Sequence, residues 1–151
     1  TGWAVTQEAP EAQASFDAWF AWTRGKKIEL LSPGQVVYWR DLAFERSGLH
    51  FAGMTDPLIL VDRETVGTEL KTSAALYPEY QLQCAAYRMG LNLDGIFKYS
   101  RFDPDRWLLL RLPKDGKPAE EKWLDSSYDW AGAEEAFLSA LRLYNWMKKK
   151  S

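Results

Sequence analysis

Two short segments, 58–62 and 66–72, stand on either side of the triplet Arg63-Glu64-Thr65, and this pair constrains the fold more than any other stretch of the chain. Both runs have strand composition and only a turn-length break between them, so the spacing predicts two antiparallel strands. Side chains alternate between faces along a strand. Glu69 and Lys71 therefore share one face, while Val66, Thr68, Leu70 and Thr72 take the other. Asp56 lies thirteen residues before Glu69, and folding the hairpin back brings it alongside. Two carboxylates and an ammonium group then converge.

The rest of the chain supplies layers for such a hairpin. Residues 10–24 read as a helix, rich in Ala, with Phe16, Trp19, Phe20 and Thr23 at helical spacing and Gly25 as its stop. Runs 28–31 and 35–39 flank the turn composition Ser32-Pro33-Gly34 and predict a second hairpin. A helix is expected over 78–89, with Leu82, Ala85, Ala86 and Met89 as its stripe and Gly90 as terminator. Runs 96–102 and 107–112 predict a third strand pair around Asp103-Pro104-Asp105, with Leu108, Leu110 and Leu112 on one side. A loop over 114–118 leads to a last helix over 132–149, whose expected buried stripe is Phe137, Leu141, Tyr144 and Met147 and whose Lys148, Lys149 and Lys150 suit its C-terminal dipole. The order implies an α/β fold, a mixed central sheet flanked by helices, in one domain covering all 151 residues.

Composition narrows the function classes. Cys84 is the one cysteine, which excludes an intramolecular disulfide and a cysteine-held zinc or iron–sulfur cluster. No apolar stretch reaches the length that spans a bilayer and the first residues carry no signal-peptide pattern, so the expectation is a soluble intracellular, cytoplasmic protein with no membrane partner. The formal charge of -2 leaves nucleic-acid binding to local basic patches.

Hard cations such as Mg²⁺ take carboxylate oxygen and keep waters that a phosphate can replace. Asp56 and Glu69 suit that role, and a lysine beside them can hold an attacking water. Glu-x-Lys alone is common on solvated surfaces, and Glu120-Glu121-Lys122 repeats it. Three ordered motifs are more specific: Gly53-Met54-Thr55-Asp56, Glu69-Leu70-Lys71-Thr72-Ser73, and Gln83-Cys84-Ala85-Ala86-Tyr87. In these the chain resembles the RecB-like, phage exonuclease-like branch of the PD-(D/E)XK nucleases.

That resemblance implies a restriction-endonuclease-like core and metal-dependent hydrolysis of DNA phosphodiesters, by an exonuclease or end-processing enzyme of repair or recombination in a bacterial or phage-infected cell. It implies that Asp56, Glu69 and the backbone carbonyl of Leu70 bind Mg²⁺ or Mn²⁺, that Lys71 orients the water, and that Gln83 and Tyr87, with Thr72 in the same motif, organise the site or touch DNA. Thr55 stands where the family name has proline. For the acid that family members carry on an upstream helix, Glu8 and Glu11 are the candidates, with Asp41 and Glu45 behind them. The first helix follows so soon on Thr1 that upstream helical material is expected to be missing, leaving a fragment or a weakly active domain.

Other groups serve the same reading. Arg88, Lys98 and Arg101 are expected to contact phosphate, and Arg24, Lys26 and Lys27 form a second basic cluster. Trp39, Tyr77, Tyr80 and Trp107 are weighed as platforms for unpaired bases against core packing, and His50 as a phosphate or metal contact against a structural role. DNA ends or single strands are the expected partner. The rivals are a catalytically weakened nuclease-fold module that holds DNA or a protein, and a small-molecule hydrolase or scaffold unrelated to nucleic acid.

Overall fold

The computed structural model describes residues 10–41, 43–91 and 104–151. In chain order the elements are α1 (Pro10–Thr23), β1 (Ile28–Ser32), β2 (Val36–Arg40), α2 (Phe44–Ser47), β3 (His50–Met54), β4 (Leu58–Val61), β5 (Glu64–Lys71), α3 (Glu79–Leu91), β6 (Arg106–Arg111), β7 (Glu120–Leu124) and α4 (Trp130–Lys150). Five strands form one sheet in the order β1-β4-β5-β6-β7, and β2 pairs with β3 separately. All neighbours in the large sheet are antiparallel except β5 and β6, which run parallel, so the sheet is mixed and the fold is α/β as expected.

The hairpin of β4 and β5 forms as predicted, with Leu58 opposite Gly67 and Val61 opposite Glu64, but its turn is shorter and earlier than expected: Glu64 and Thr65 belong to β5. Its two turn residues, Asp62 and Arg63, both have positive φ, 48° and 77°, the backbone of a tight turn that follows strand twist. Asp62 offsets that strain by binding Lys27 through both main chain and carboxylate, at 2.9 Å each.

Strand alternation sorts the core into two layers. On one side of the sheet Ile59, Val61, Val66, Leu108, Leu110 and Leu112 pack with Ala18 and Trp22 of α1. On the other, Leu58, Trp107, Leu109 and Leu124 pack with Cys84 and Leu91 of α3 and with Val37 of β2. The three leucines expected to share a face do so. Gly67 lets the indole of Trp107 cross β5, because a Cβ there would stand 2.6 Å from the ring.

Several expectations fail. The strands over 28–32 and 36–40 exist but do not pair with each other: β1 joins β4, and β2 joins β3. The physical reason is burial, since β4 (Leu-Ile-Leu-Val) is nearly all core and needs a strand on its second edge. In α1 the buried line is Ala18 and Trp22, while Phe16 and Phe20 are 51% and 60% exposed. Gly90 does not end its helix, which runs on to Leu91; it sits where a Cβ would approach that of Val37 to 2.7 Å. Strand β7, carrying Glu120-Glu121-Lys122, falls where the sequence pattern shows only a connection, because its charged face hides the inward Leu124. In α4, Phe137 and Leu141 are half-buried, but Tyr144 and Met147 are exposed because the helix outruns the α3 it packs against. The strand expected over 96–102 lies outside the described residues. Among the described residues no helix is long and apolar enough to cross a membrane.

Candidate active site

Pairing between β4 and β5 ends at Leu58 and Gly67, so the last residues of β5 run past the end of β4. Their open edge is filled by the segment that joins β3 to β4. There Pro57 O accepts the Thr68 hydroxyl, and Asp56 Oδ2 accepts the amide of Leu70 at 2.8 Å. Thr55, the residue before Asp56, is buried, and it is fixed to Gln35 by two hydrogen bonds of 2.9 and 3.0 Å. Asp56 is thus positioned by backbone on both sides.

Glu69 and Lys71 project from β5 toward α3. Glu69 is only 4% exposed, and its Oε1 lies 2.8 Å from Lys71 Nζ. Its other oxygen, Oε2, is buried without a hydrogen-bond partner, an arrangement that costs free energy unless something else meets it. Burial raises the Glu69 carboxyl above its ordinary value; the hydrogen bond from Lys71 works against this, and the nearby charge of Asp56 adds to it. The Lys71 ammonium also donates to Gln83 Oε1 at 2.6 Å and lies 4.4 Å from the centre of the Tyr80 ring.

Helix α3 presents Tyr80, Gln83, Cys84 and Tyr87 at helical spacing, so one face of the helix covers the site. Tyr87 is half-buried and is raised above its ordinary value by burial and by the charges of Glu69 and Asp56. A Cβ at Gly53 would stand 3.4 Å from the Tyr87 ring, so the glycine of the first motif and the tyrosine of the third are neighbours. Cys84 is fully buried, and burial with the Glu69 charge pushes its thiol far up.

Asp56, Glu69, Lys71, Gln83 and Tyr87 are therefore brought together. Leu70 contributes its amide to Asp56 and sends its side chain to the opposite face. Thr72 follows it there, and both line an apolar cavity of about 670 Å³ beneath α1. Arg88 turns away to α4, paired with Glu134 at 3.1 Å and stacked on Trp130. Lys98 and Arg101 lie outside the described residues, as do Glu8 and the side chain of Glu45. Glu11 is exposed on the α1 side, 4.0 Å from Lys114, and Asp41 caps the α2 turn by accepting from Ala43 and Ser47. Neither joins the pair of acids, and among the described residues no group of three or more His, Cys, Asp or Glu is placed to hold a metal.

Lys26 folds back on Trp22 and Lys27 pairs with Glu29, so that basic cluster belongs to the end of α1. His50 opens β3, at the strand end away from Asp56. Trp107 is core and Trp39 stacks on Phe51. One residue that sequence reasoning missed is Arg111, directly across from Lys71 on β6, whose guanidinium binds Ser73 O at 3.3 Å and Glu120 at 3.0 Å. Only the parallel register brings it there. The role of Tyr80 was also missed, although its spacing of three from Gln83 could have signalled a shared helix face. No protein-family model matches the chain, and no curated protein matches it.

Proposed function

We propose that the chain is a metal-dependent DNA phosphodiesterase of the PD-(D/E)XK kind, acting as an exonuclease or in end processing inside the cell. The observation that carries this reading is the cluster of Asp56, Glu69 and Lys71, with a buried carboxylate oxygen, Glu69 Oε2, left without a partner. The donor set fits a hard divalent cation: two carboxylates are enough for Mg²⁺ or Mn²⁺, which keep waters and accept phosphate oxygen. Such an ion would meet the unpartnered oxygen and relieve the repulsion between Glu69 and Asp56.

When bound, the metal supplies an activated water and neutralises charge on the phosphate. The protein's own groups do the rest. Asp56 is aimed by the Leu70 amide, and Glu69 is held at its other oxygen by Lys71. The Lys71 ammonium can offer a proton donor to a water or a phosphate oxygen while Gln83 keeps it in place. Burial between the sheet and α3 lowers the local dielectric and strengthens each of these interactions.

Cleavage of end-labelled DNA in Mg²⁺, compared between the native chain and Lys71→Ala, tests the proposal: cleavage that the substitution abolishes is expected. A second reading, a weakened nuclease-fold module that holds DNA or a protein, is favoured by one observation, the lack of a third acid beside the pair among the described residues. DNA binding by the native chain without cleavage would select it. Calorimetry separates both from a function unrelated to nucleic acid, in which short DNA ends would not enhance Mg²⁺ binding.

A further inference from the structure

The Lys71 ammonium has three donors, and two are taken by Glu69 Oε1 at 2.8 Å and Gln83 Oε1 at 2.6 Å. Its remaining side faces the Tyr80 ring, 4.4 Å from the ring centre, within the range at which a cation is drawn to the electron-rich face. The Lys71 side chain is only 19% exposed, so little water competes for that side. Tyr80 has a firm backing. Its ring forms an edge-to-face pair with that of Tyr77, centroids 5.6 Å and planes 78° apart, it packs against the core layer under α3, and its amide binds Tyr77 O at 3.1 Å. A base cannot stack on the ring face that Lys71 covers.

Resting on the proposed nuclease reading, we infer that Tyr80 is a positioning residue for the reaction: its ring face is the third wall that holds the Lys71 ammonium in one place. A lysine side chain is flexible and loses rotamer freedom when it is held, so each added contact that fixes its head group matters. Glu69 and Gln83 hold the ammonium on two sides, and the ring narrows the positions it can take on the third.

Ring-fluorinated phenylalanines test this, because successive fluorines drain the electron-rich face with almost no change of shape. Phe and its mono-, di- and trifluoro forms are placed at position 80, in the native chain and in Lys71→Met. In the native background the urea unfolding constant is expected to rise along the series, by about five-fold in all. In Lys71→Met it is expected to stay flat. With end-labelled DNA and Mg²⁺, kcat is expected to fall along the same series, by about ten-fold, at unchanged KM, with Tyr80→Phe close to native. A flat unfolding series in the native background, or one equally steep in Lys71→Met, overturns the inference, as does a kcat that ignores fluorination. Failure of the native chain to cleave DNA overturns the proposed function instead, and the two unfolding series still decide whether the ring holds Lys71. Every replacement keeps a six-membered ring, so the comparison does not hinge on a variant that misfolds.

Discussion

Glu69 illustrates how a single side chain can be costly to the fold and useful to the site. Its raised carboxyl means that the folded state holds the proton more tightly than the unfolded state, so stability is greatest below the ordinary glutamate value and declines as pH rises through the folded value. Glu69→Gln removes the charge and keeps the shape. It is expected to melt a few degrees higher than the native chain at pH 8, with the difference closing as pH falls toward 4, while Mg²⁺ binding is lost. Scanning calorimetry across that range checks the sign, and a variant less stable at pH 8 contradicts it. Asp56→Asn behaves differently. Its amide oxygen can still accept from Leu70, so unfolding free energy is expected to change by no more than about 1 kcal/mol, with Mg²⁺ affinity falling at least about ten-fold by calorimetry. The pairing of Glu69 with Lys71 was legible in the sequence because alternation is a local rule. The burial of one and the clamping of the other were not, because both depend on α3.

At the scale of elements, two glycines report which surfaces meet. A glycine inside a helix ordinarily gains about 1 kcal/mol on replacement by alanine. Gly90→Ala is expected to do the opposite and cost about 1–3 kcal/mol, because its new methyl would press on Val37 of β2 at 2.7 Å. Adding Val37→Ala should recover part of that loss, a coupling that urea titration of the single and double variants measures. Additive effects would mean that α3 and β2 do not touch there. The helix over 78–89 was legible from its period, but Gly90 reads in sequence as a stop, since a contact partner fifty-three residues away leaves no local trace. Strand β1 makes the same point: a turn composition over 32–34 marks a reversal, and nothing in it names the strand that β1 will join.

Across the whole molecule, one sheet separates two cores. Leu109 packs under α3 with Cys84 and Trp107, while Leu110 packs under α1 with Trp22 and Val66. Both are fully buried, so Leu109→Ala and Leu110→Ala are each expected to cost about 2–5 kcal/mol in urea unfolding. Only Leu109→Ala is expected to weaken Mg²⁺ binding measured by calorimetry, because only its cavity opens on the acid side of the sheet. Equal losses of affinity would mean that the two layers are not independent. What the sequence determined by itself is whatever obeys short-range rules: the three long helices, the hairpin of β4 and β5, the opposed faces of 66–72, and the meeting of Asp56 with Glu69 and Lys71 across a turn. What only the tertiary structure decided is which strands pair, that β5 and β6 run parallel and set Arg111 opposite Lys71, and that Tyr80 and Gln83 close over the ammonium. Those choices are made by the burial of apolar faces from distant segments, a free energy summed over the whole chain that no single stretch of residues contains.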